Sequence, residues 1–320
     1  GVPPEIQAEI RAAVLKLFEN GEPAPVISDP GNDLMLRMMG ATLGGENVAP
    51  EYAPLMREEM AFVPREARWS RPPERQKLEQ QHVLIVGAGV CAIALGVSLG
   101  RLGIPYTIVE KNAELGGTWY VNRYPGCGVD TPNHSYSFSF GARNPWTRYF
   151  AKRQELLDYL RKVALEYDIR QHLRLNTRLT SSRWDEGKRR WISTLQTPDG
   201  EETFESTTLV SAIGQLNDPS PAHFKGEETY KGTTLHSALW SDDIRLDGKR
   251  VAVIGTGATA MQLVPDIADR VASVTVYQRT AQWARPVEGL NDPISDGAQW
   301  LLAHLPFYVQ WYRFNMFWRY

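Results

Sequence analysis

His82-Val83-Leu84-Ile85-Val86-Gly87-Ala88-Gly89-Val90-Cys91-Ala92 is the stretch whose reading decides the fold. Its first half is a run of branched apolar residues, the pattern of a strand buried on both faces of a parallel sheet. Its second half is GxGxxA. The first glycine of such a turn permits a sharp reversal, and the second lets a diphosphate approach the backbone. The small third residue lets the next helix pack on the strand. The helix N-terminus adds unpaired N–H groups and the positive end of its dipole. The spacing predicts a helix to about Arg101, and Pro105 to Glu110 as the next strand. Glu110 closes that strand where a carboxylate would hold a ribose hydroxyl.

A second copy of the unit begins at Arg250. Val251-Ala252-Val253-Ile254 leads into Gly255-Thr256-Gly257-Ala258-Thr259-Ala260, again GxGxxA between strand and helix. Here the next strand, Val274 to Tyr277, ends in Gln278-Arg279-Thr280. No carboxylate stands at the ribose position. A guanidinium there can pair bidentately with a 2′-phosphate that a carboxylate would repel, which favours NADPH over NADH. The plain alternative for Arg279 is a solvated surface charge. The first unit differs in the residues after Glu110: Leu115-Gly116-Gly117-Thr118-Trp119, a Gly-Gly turn that resembles the flavin-approaching loop of two-dinucleotide flavoproteins. That favours FAD. The expected fold class is α/β, with two Rossmann-like dinucleotide-binding domains (FAD and NADPH) and an N-terminal α-helical extension.

The flanks carry no catalytic pattern. Ile6, Ile10, Val14 and Leu17 recur at helical spacing, with Gly21 as a stop. Asn32 or Asp33 suits the cap of a second helix holding Leu34, Leu36 and Met39. Tyr52, Leu55, Met56 and Met60 suit a third. Glu66 to Gln81, charged and containing Pro72-Pro73, reads as a linker. The expected boundaries are 1–80 for the extension and linker, 81–225 for the FAD part and 226–320 for the NADPH part. Within the second of these, residues 153–167 read as a helix. Strands are expected around Leu173–Asn176, Thr180–Trp184, Trp191–Leu195 and Thr208–Ala212. After Arg285 the chain is rich in aromatics, which suggests a helical insertion on the substrate side rather than a membrane anchor.

Composition bounds the partners. Across 320 residues the formal net charge is −2, which argues against nucleic-acid and membrane-surface binding. The longest apolar runs, near Val83 and Val251, are too short to span a bilayer. The first residues carry no basic segment leading into an apolar core, so no secretory signal is expected. Cys91 and Cys127 have neither zinc spacing nor a CxxC pattern. No metal site is expected, and two free thiols fit a reducing, cytoplasmic setting.

Residues Gly116 to Phe140, GGTWYVNRYPGCGVDTPNHSYSFSF, resemble the flavin loop of type I Baeyer–Villiger monooxygenases. Between the two Rossmann units, Gly232, His236 and Trp240 match the signature FxGxxxHxxxW of that family. Tyr230 stands in place of its Phe, and Ser241 in place of the Pro or Asp after it. These departures leave open a sister class of flavin monooxygenase, such as an N-hydroxylase. The helical extension, with Glu51-Tyr52-Ala53-Pro54-Leu55, is similar to that of 4-hydroxyacetophenone monooxygenase-like members. That likeness implies aryl-alkyl or bulky ketones as substrates and a homodimer in which the extension takes part.

The resemblance implies an NADPH-dependent flavin monooxygenase turning ketones and O2 into esters or lactones through a C4a-peroxyflavin. Thr118, Trp119, Tyr120 and Val121 match flavin-lining positions, joined by Gly87, Gly89, Ala92, Glu110, Gly117, Tyr136 and Leu179. Asp130 matches the family's active-site aspartate, with Gly128 and Val129 near the nicotinamide. The alternative for Asp130 is an Asx-type loop cap. Gln215 matches a residue near the cofactors. Gly255, Thr256, Gly257, Ala258, Thr259, Ala260, Gln262, Arg279 and Thr280 form the NADPH set. His236 is read as a structural or hinge residue ahead of an acid–base one. The family's catalytic arginine lies well after the second unit, so the chain is expected to be the N-terminal portion of a longer enzyme. A non-catalytic fragment is the remaining alternative.

Overall fold

A computed structural model describes residues 3–20, 27–141, 143–287, 289–305 and 307–319. In chain order, α1 (Pro4–Glu19), α2 (Gly31–Thr42), α3 (Tyr52–Glu59) and the short α4 (Arg75–Glu79) precede β1 (Val83–Val86). Then come α5 (Val90–Leu102), β2 (Tyr106–Val109), α6 (Thr118–Val121) and α7 (Arg153–Glu166). Five strands come next: β3 (Leu173–Arg174), β4 (Arg178–Asp185), β5 (Arg190–Thr197), β6 (Gly200–Ser206) and β7 (Thr208–Ser211). The remainder is β8 (Arg250–Ile254), α8 (Ala258–Ile267), β9 (Ser273–Tyr277), α9 (Asp296–His304) and α10 (Tyr308–Arg319). No helix among the described residues is long and apolar enough to cross a membrane.

The chain divides into two units, Glu66–Gln299 and the pair of segments Gly1–Arg65 and Trp300–Tyr320. In the larger unit a parallel sheet has the order β3-β2-β1-β7. β1 lies between two neighbours and buries Val83, Leu84 and Ile85, as its unbroken apolar run requires. A separate antiparallel sheet, β4-β5-β6, carries a strand that periodicity does not reveal. Around Phe204, the strand β6 holds Glu201, Glu202, Thr203 and Glu205. Phe204 is the one large apolar residue that packs inward, against the cluster of Leu84, Val109 and Leu195, with the small Ser206 buried beside it, so the edge strand shows almost no apolar signal. The second Rossmann-like unit is a parallel pair, β8 and β9, in register from Arg250↔Ser273 to Ile254↔Tyr277.

The smaller unit is built on methionine. Met35 and Met39 from α2, Met56 from α3, and Met60 just beyond it surround Phe314 of α10. Truncating one such buried side chain costs about 2–5 kcal/mol, whereas a solvent-exposed ion pair contributes little. The methionine core, not the Arg57–Asp29 pair at its rim, therefore holds α10 in place. Arg313 of α10, only 3% exposed, points a nitrogen at the Glu59 carboxylate at 3.5 Å, and Arg65 donates to the same carboxylate at 2.5 Å. The aromatic end of the chain thus closes over the helical extension, although the sequence reading assigns it to the 226–320 part as a substrate-side insertion. The reason is shape: flexible thioethers fill the gaps around a large ring.

Local details shift as well. α2 starts at Gly31, so Asn32 and Asp33 sit inside its first turn. The carboxylate of Asp29 does the capping, accepting from the Gly31 N–H at 3.0 Å. The Arg57 guanidinium holds the Asp29 carboxyl below its usual range. Leu34, Tyr52 and Leu55 are exposed, as are Ile6, Ile10 and Val14 of α1. Gly21, expected to stop α1, lies outside the described residues.

Tyr106 on β2 is 4% exposed and stacks on His172 with centroids 4.1 Å apart. Burial, with Asp168 adding, pushes its phenol up to about 12. The unfolded chain ionises near the ordinary tyrosine value of about 10, so this contribution to stability is full below that pH and is lost as pH rises toward about 12. Tyr106→Phe is expected to shrink the loss of stability across that window, read as denaturation midpoints at several alkaline pH values. Unchanged alkaline sensitivity would count against the assignment.

Candidate functional site

β1 ends against a hard limit. Gly87 has φ +98°, and a Cβ there would lie 2.8 Å from the Ala212 carbonyl oxygen at the exit of β7. Its N–H donates to Val109 O at 2.8 Å, which ties the turn to β2. Gly89 then caps α5, and Ala92 is fully buried where the motif needs a small residue. The first N–H groups of α5 have no partner within the helix, which suits an anionic group above them. Glu110 is 5% exposed. Its carboxylate accepts from Ala88 N–H at 2.8 Å and from the Asn112 N–H and Nδ2 at 2.9 and 2.6 Å. The residue read as a ribose ligand therefore also braces the turn. A carboxylate has about four acceptor positions, so one remains for a hydroxyl.

The Gly-Gly loop lies directly on this turn. Gly116 N–H donates to Ala88 O at 2.9 Å, and a Cβ on Gly117 would lie 2.9 Å from Gly89 Cα. The loop enters α6, whose Thr118, Trp119, Tyr120 and Val121 are the expected lining residues. Trp119 is buried, and its Nε1 donates to the Tyr136 hydroxyl at 3.3 Å with the rings edge to face. Together with Val90, Phe138, Leu156 and Tyr159 these two rings line a cavity of about 190 Å³. Arg153 at the start of α7 donates to Tyr120 O at 3.1 Å. Leu179, partly buried, packs against the Leu84, Val109 and Leu195 cluster. Asn133, which sequence reasoning missed, is fully buried. It donates to Arg148 O and accepts from Ala151 N–H, both at 2.6 Å, and so fixes the far end of the loop. Nothing in the local pattern distinguishes it from a turn asparagine.

At the second turn Gly255 has φ +107° and Gly257 caps α8. A Cβ at either would meet nothing within 4 Å, so the surface above the helix N-terminus is open. Thr256 Oγ1 reaches Thr280 O at 3.4 Å, and Ala258, Thr259 and Ala260 form the first turn of α8. Arg279 and Thr280 are exposed at the end of β9. Among the described residues, no carboxylate lies within ion-pair distance of Arg279. Gln215 is exposed. Gly232 lies under the Tyr230 ring. The His236 Nδ1 accepts from Ala238 N–H at 3.1 Å and so caps a short turn, with Trp240 half-buried beyond it.

The loop 124–130, which follows α6, packs on α8. Gln262, in the second turn of α8, reaches Tyr124, Gly128 and Asp130 with its side-chain amide. Val129 is buried beside it and Asp130 is exposed. Burial pushes the Tyr124 phenol and the Cys127 thiol up, so both are neutral at ordinary pH. Among the described residues, no group of His, Cys, Asp and Glu is placed to hold a metal.

Residues 84–296 match the family described as pyridine nucleotide-disulphide oxidoreductase. An uncharacterized monooxygenase of Sinorhizobium fredii is 37% identical over all of this chain and 48% of its own length. A Baeyer–Villiger monooxygenase of Pseudomonas aeruginosa is 40% identical over 64% of this chain and 38% of its own. Among solved structures, OTEMO in complex with FAD and NADP aligns with a TM-score of 0.63 at 34% identity. It covers 70% of this chain and 43% of its own. Cyclohexanone monooxygenase from Rhodococcus sp. Phi1 bound to NADP+ aligns at 0.62 and 32%, with the same coverage. The chain spans about half the length, or less, of the curated relatives it matches.

The two free thiols separate cleanly. Cys91 is exposed in the first turn of α5, and Cys127 is buried with its ionisation suppressed. Alkylation of the native chain at mildly alkaline pH is expected to modify Cys91 and spare Cys127 until the fold is lost, since only thiolate reacts. Peptide mass mapping reads both sites, and equal labelling would contradict the packing of the loop.

Proposed function

Because the chain belongs to the pyridine nucleotide-disulphide oxidoreductase family, in its Baeyer–Villiger monooxygenase branch, we propose an FAD- and NADPH-dependent monooxygenase. It converts ketones of the aryl-alkyl, bulky or cyclic class, with O2, to esters or lactones. The disulfide chemistry in the family's name has no counterpart here, since Cys91 is exposed, Cys127 is buried, and neither sits in a CxxC pair. FAD, when bound, supplies the oxygen activation and NADPH the hydride. One oxygen atom enters beside the carbonyl and the other leaves as water.

The observation that carries this reading is one continuous segment, 116–130, that lies on the first turn at Gly116 and Gly117 and on the helix of the open second turn at Gly126 and Gly128. FAD is assigned to the first turn, with its diphosphate over α5 and its ribose at Glu110. NADPH is assigned to the second, with Arg279 on the 2′-phosphate. Residues 81–225 form the FAD part, and the NADPH part begins at 226. The residues present fit these groups: an open α8 N-terminus, an exposed guanidinium with no carboxylate in ion-pair range among the described residues, and a Gly-Gly loop pressed onto the first turn. Asp130 stands at the edge shared by both and orients charge near the reacting centre. The apolar residues that α1 exposes, Ile6, Ile10 and Val14, support a homodimer through the N-terminal extension.

The full-length protein, loaded with FAD and given NADPH, O2 and a panel of phenyl and cyclic ketones, is expected to form the ester or lactone. Hydrogen peroxide alone from every ketone would overturn the proposal, and a hydroxylated amine would favour the N-hydroxylase alternative. Arg279→Ala is expected to raise KM for NADPH about tenfold while leaving that for NADH within about twofold, because only the 2′-phosphate contact is lost. An equal effect on both coenzymes would exclude the 2′-phosphate role.

A further inference from the structure

Gln262 uses its whole hydrogen-bonding capacity on one loop. Its Oε1 accepts from the Tyr124 hydroxyl at 2.8 Å and from Gly128 N–H at 3.3 Å. Its Nε2 donates to Gly128 O at 3.0 Å and to Asp130 Oδ1 at 2.6 Å. A side-chain amide has two donors and two acceptor positions, so all four are occupied. The orientation is set by chemistry. Gly128 N–H can only donate and Gly128 O can only accept, which fixes which end of the amide is oxygen. The backbone meets at the same place. A Cβ on Gly126 would lie 2.2 Å from the Gln262 carbonyl oxygen and 3.1 Å from Asp266 Cβ, so the loop apex rests on α8 itself.

We propose that Gln262 is a positioning residue that carries the placement of α8 to Asp130, rather than a ligand of the nicotinamide coenzyme. The inference rests on the reading that the second turn holds NADPH and that Asp130 serves the reacting centre. The sequence reading places Gln262 in the coenzyme set because it comes just after the GxGxxA turn. Yet an amide with every valence filled by residues 124–130 has none left for a phosphate or a ribose. What it does is hold the Asp130 carboxylate at a set distance from α8. A shift of α8 on coenzyme binding then moves Asp130 with it. The charged and titratable groups around this amide are Tyr124, Cys127 and Asp130 in the loop, Lys152 and Arg153 at the start of α7, and Asp266 on α8.

The test uses the full-length FAD-loaded enzyme and four variants: Gln262→Leu, Gln262→Glu, Asp130→Asn and the Gln262→Leu/Asp130→Asn double. Gln262→Leu is expected to lower the rate of flavin reduction by NADPH about tenfold with KM for NADPH within about twofold, the mark of lost positioning rather than lost binding. Amide hydrogen exchange in the segment 124–130 is expected to rise in the same variant, a readout that needs no turnover. In the double variant the losses should not multiply, because Gln262 acts through the Asp130 carboxylate that Asp130→Asn has already removed. Gln262→Glu supplies a check against simple misfolding. Protonated, it still donates to Asp130. Ionised, it sets two carboxylates side by side, so its activity should fall with rising pH where the parent enzyme is flat.

A raised KM with the reduction rate kept would mean that Gln262 is a coenzyme ligand, and the proposal fails. It also fails if the losses multiply, if exchange in 124–130 is unchanged, or if the Gln262→Glu profile parallels the parent. Failure of the monooxygenase reading looks different: no ester forms in the parent enzyme, while flavin reduction and hydrogen exchange still report on Gln262.

Discussion

There is no room for a side chain where the first strand ends. The Ala212 carbonyl crosses the exit of β1 so closely that Gly87 must be glycine, and its φ of +98° suits no other residue well. The crossing is a consequence of topology. β1 is flanked by β2 and β7, so the chain leaving it can neither widen nor continue and must turn at once into α5. That turn presents the helix N-terminus to solvent. It also brings the Ala88 N–H onto Glu110 and the Ala88 carbonyl onto Gly116, so one residue is held from two directions. The Gly-Gly loop, α6 and the Trp119–Tyr136 pair all hang from this point.

Local constraints of this kind are legible in sequence, because one residue type answers one geometric demand. The strand–turn–helix units, the acidic end of β2 and the basic end of β9 are all set by neighbours within a few positions. β6 is the counter-example in the same unit. An edge strand needs only one large inward residue, Phe204, and even its other buried position is a polar one, Ser206. Periodicity has too little apolar contrast there to register a strand. The helical extension departs in another way. Its helices are where spacing puts them, and Met39, Met56 and Met60 are buried as spacing selects, but Leu34, Tyr52, Leu55 and the apolar positions Ile6, Ile10 and Val14 are not. The partner that selects Met35, Met39 and Met56 is α10, more than 240 residues away in the chain.

Glu110 shows why even a correctly placed site residue is only half legible in sequence. Spacing identifies a carboxylate at the ribose position. It does not show that the same carboxylate holds Ala88 and Asn112. Buried and accepting three N–H bonds, it stabilises the turn whether or not a nucleotide is near. Binding and bracing are then one feature, and a substitution at Glu110 would disturb both together. His236 is the converse. Its place in a signature invites a chemical role, but its ring nitrogen is engaged with the backbone two residues on.

Gln262 marks the limit of what a single chain read in one dimension can reveal. Position relative to the Gly-rich turn says only that it faces the ligand end of α8. Its meaning comes from residues 132 to 138 positions away, and from a pairing in which both groups of one peptide, Gly128, meet both ends of one amide. Such pairing is stiff. Displacing α8 by an ångström would break several bonds together rather than stretch one, so the loop moves with the helix as a body. Two dinucleotide turns that share a sheet architecture but no strand are thereby joined at the level of side chains. The joint is also local: one amide, one glycine apex and one carboxylate. Coupling through so short a path needs no wire of packed residues across the unit, only that this contact exist in two arrangements whose balance each cofactor can bias.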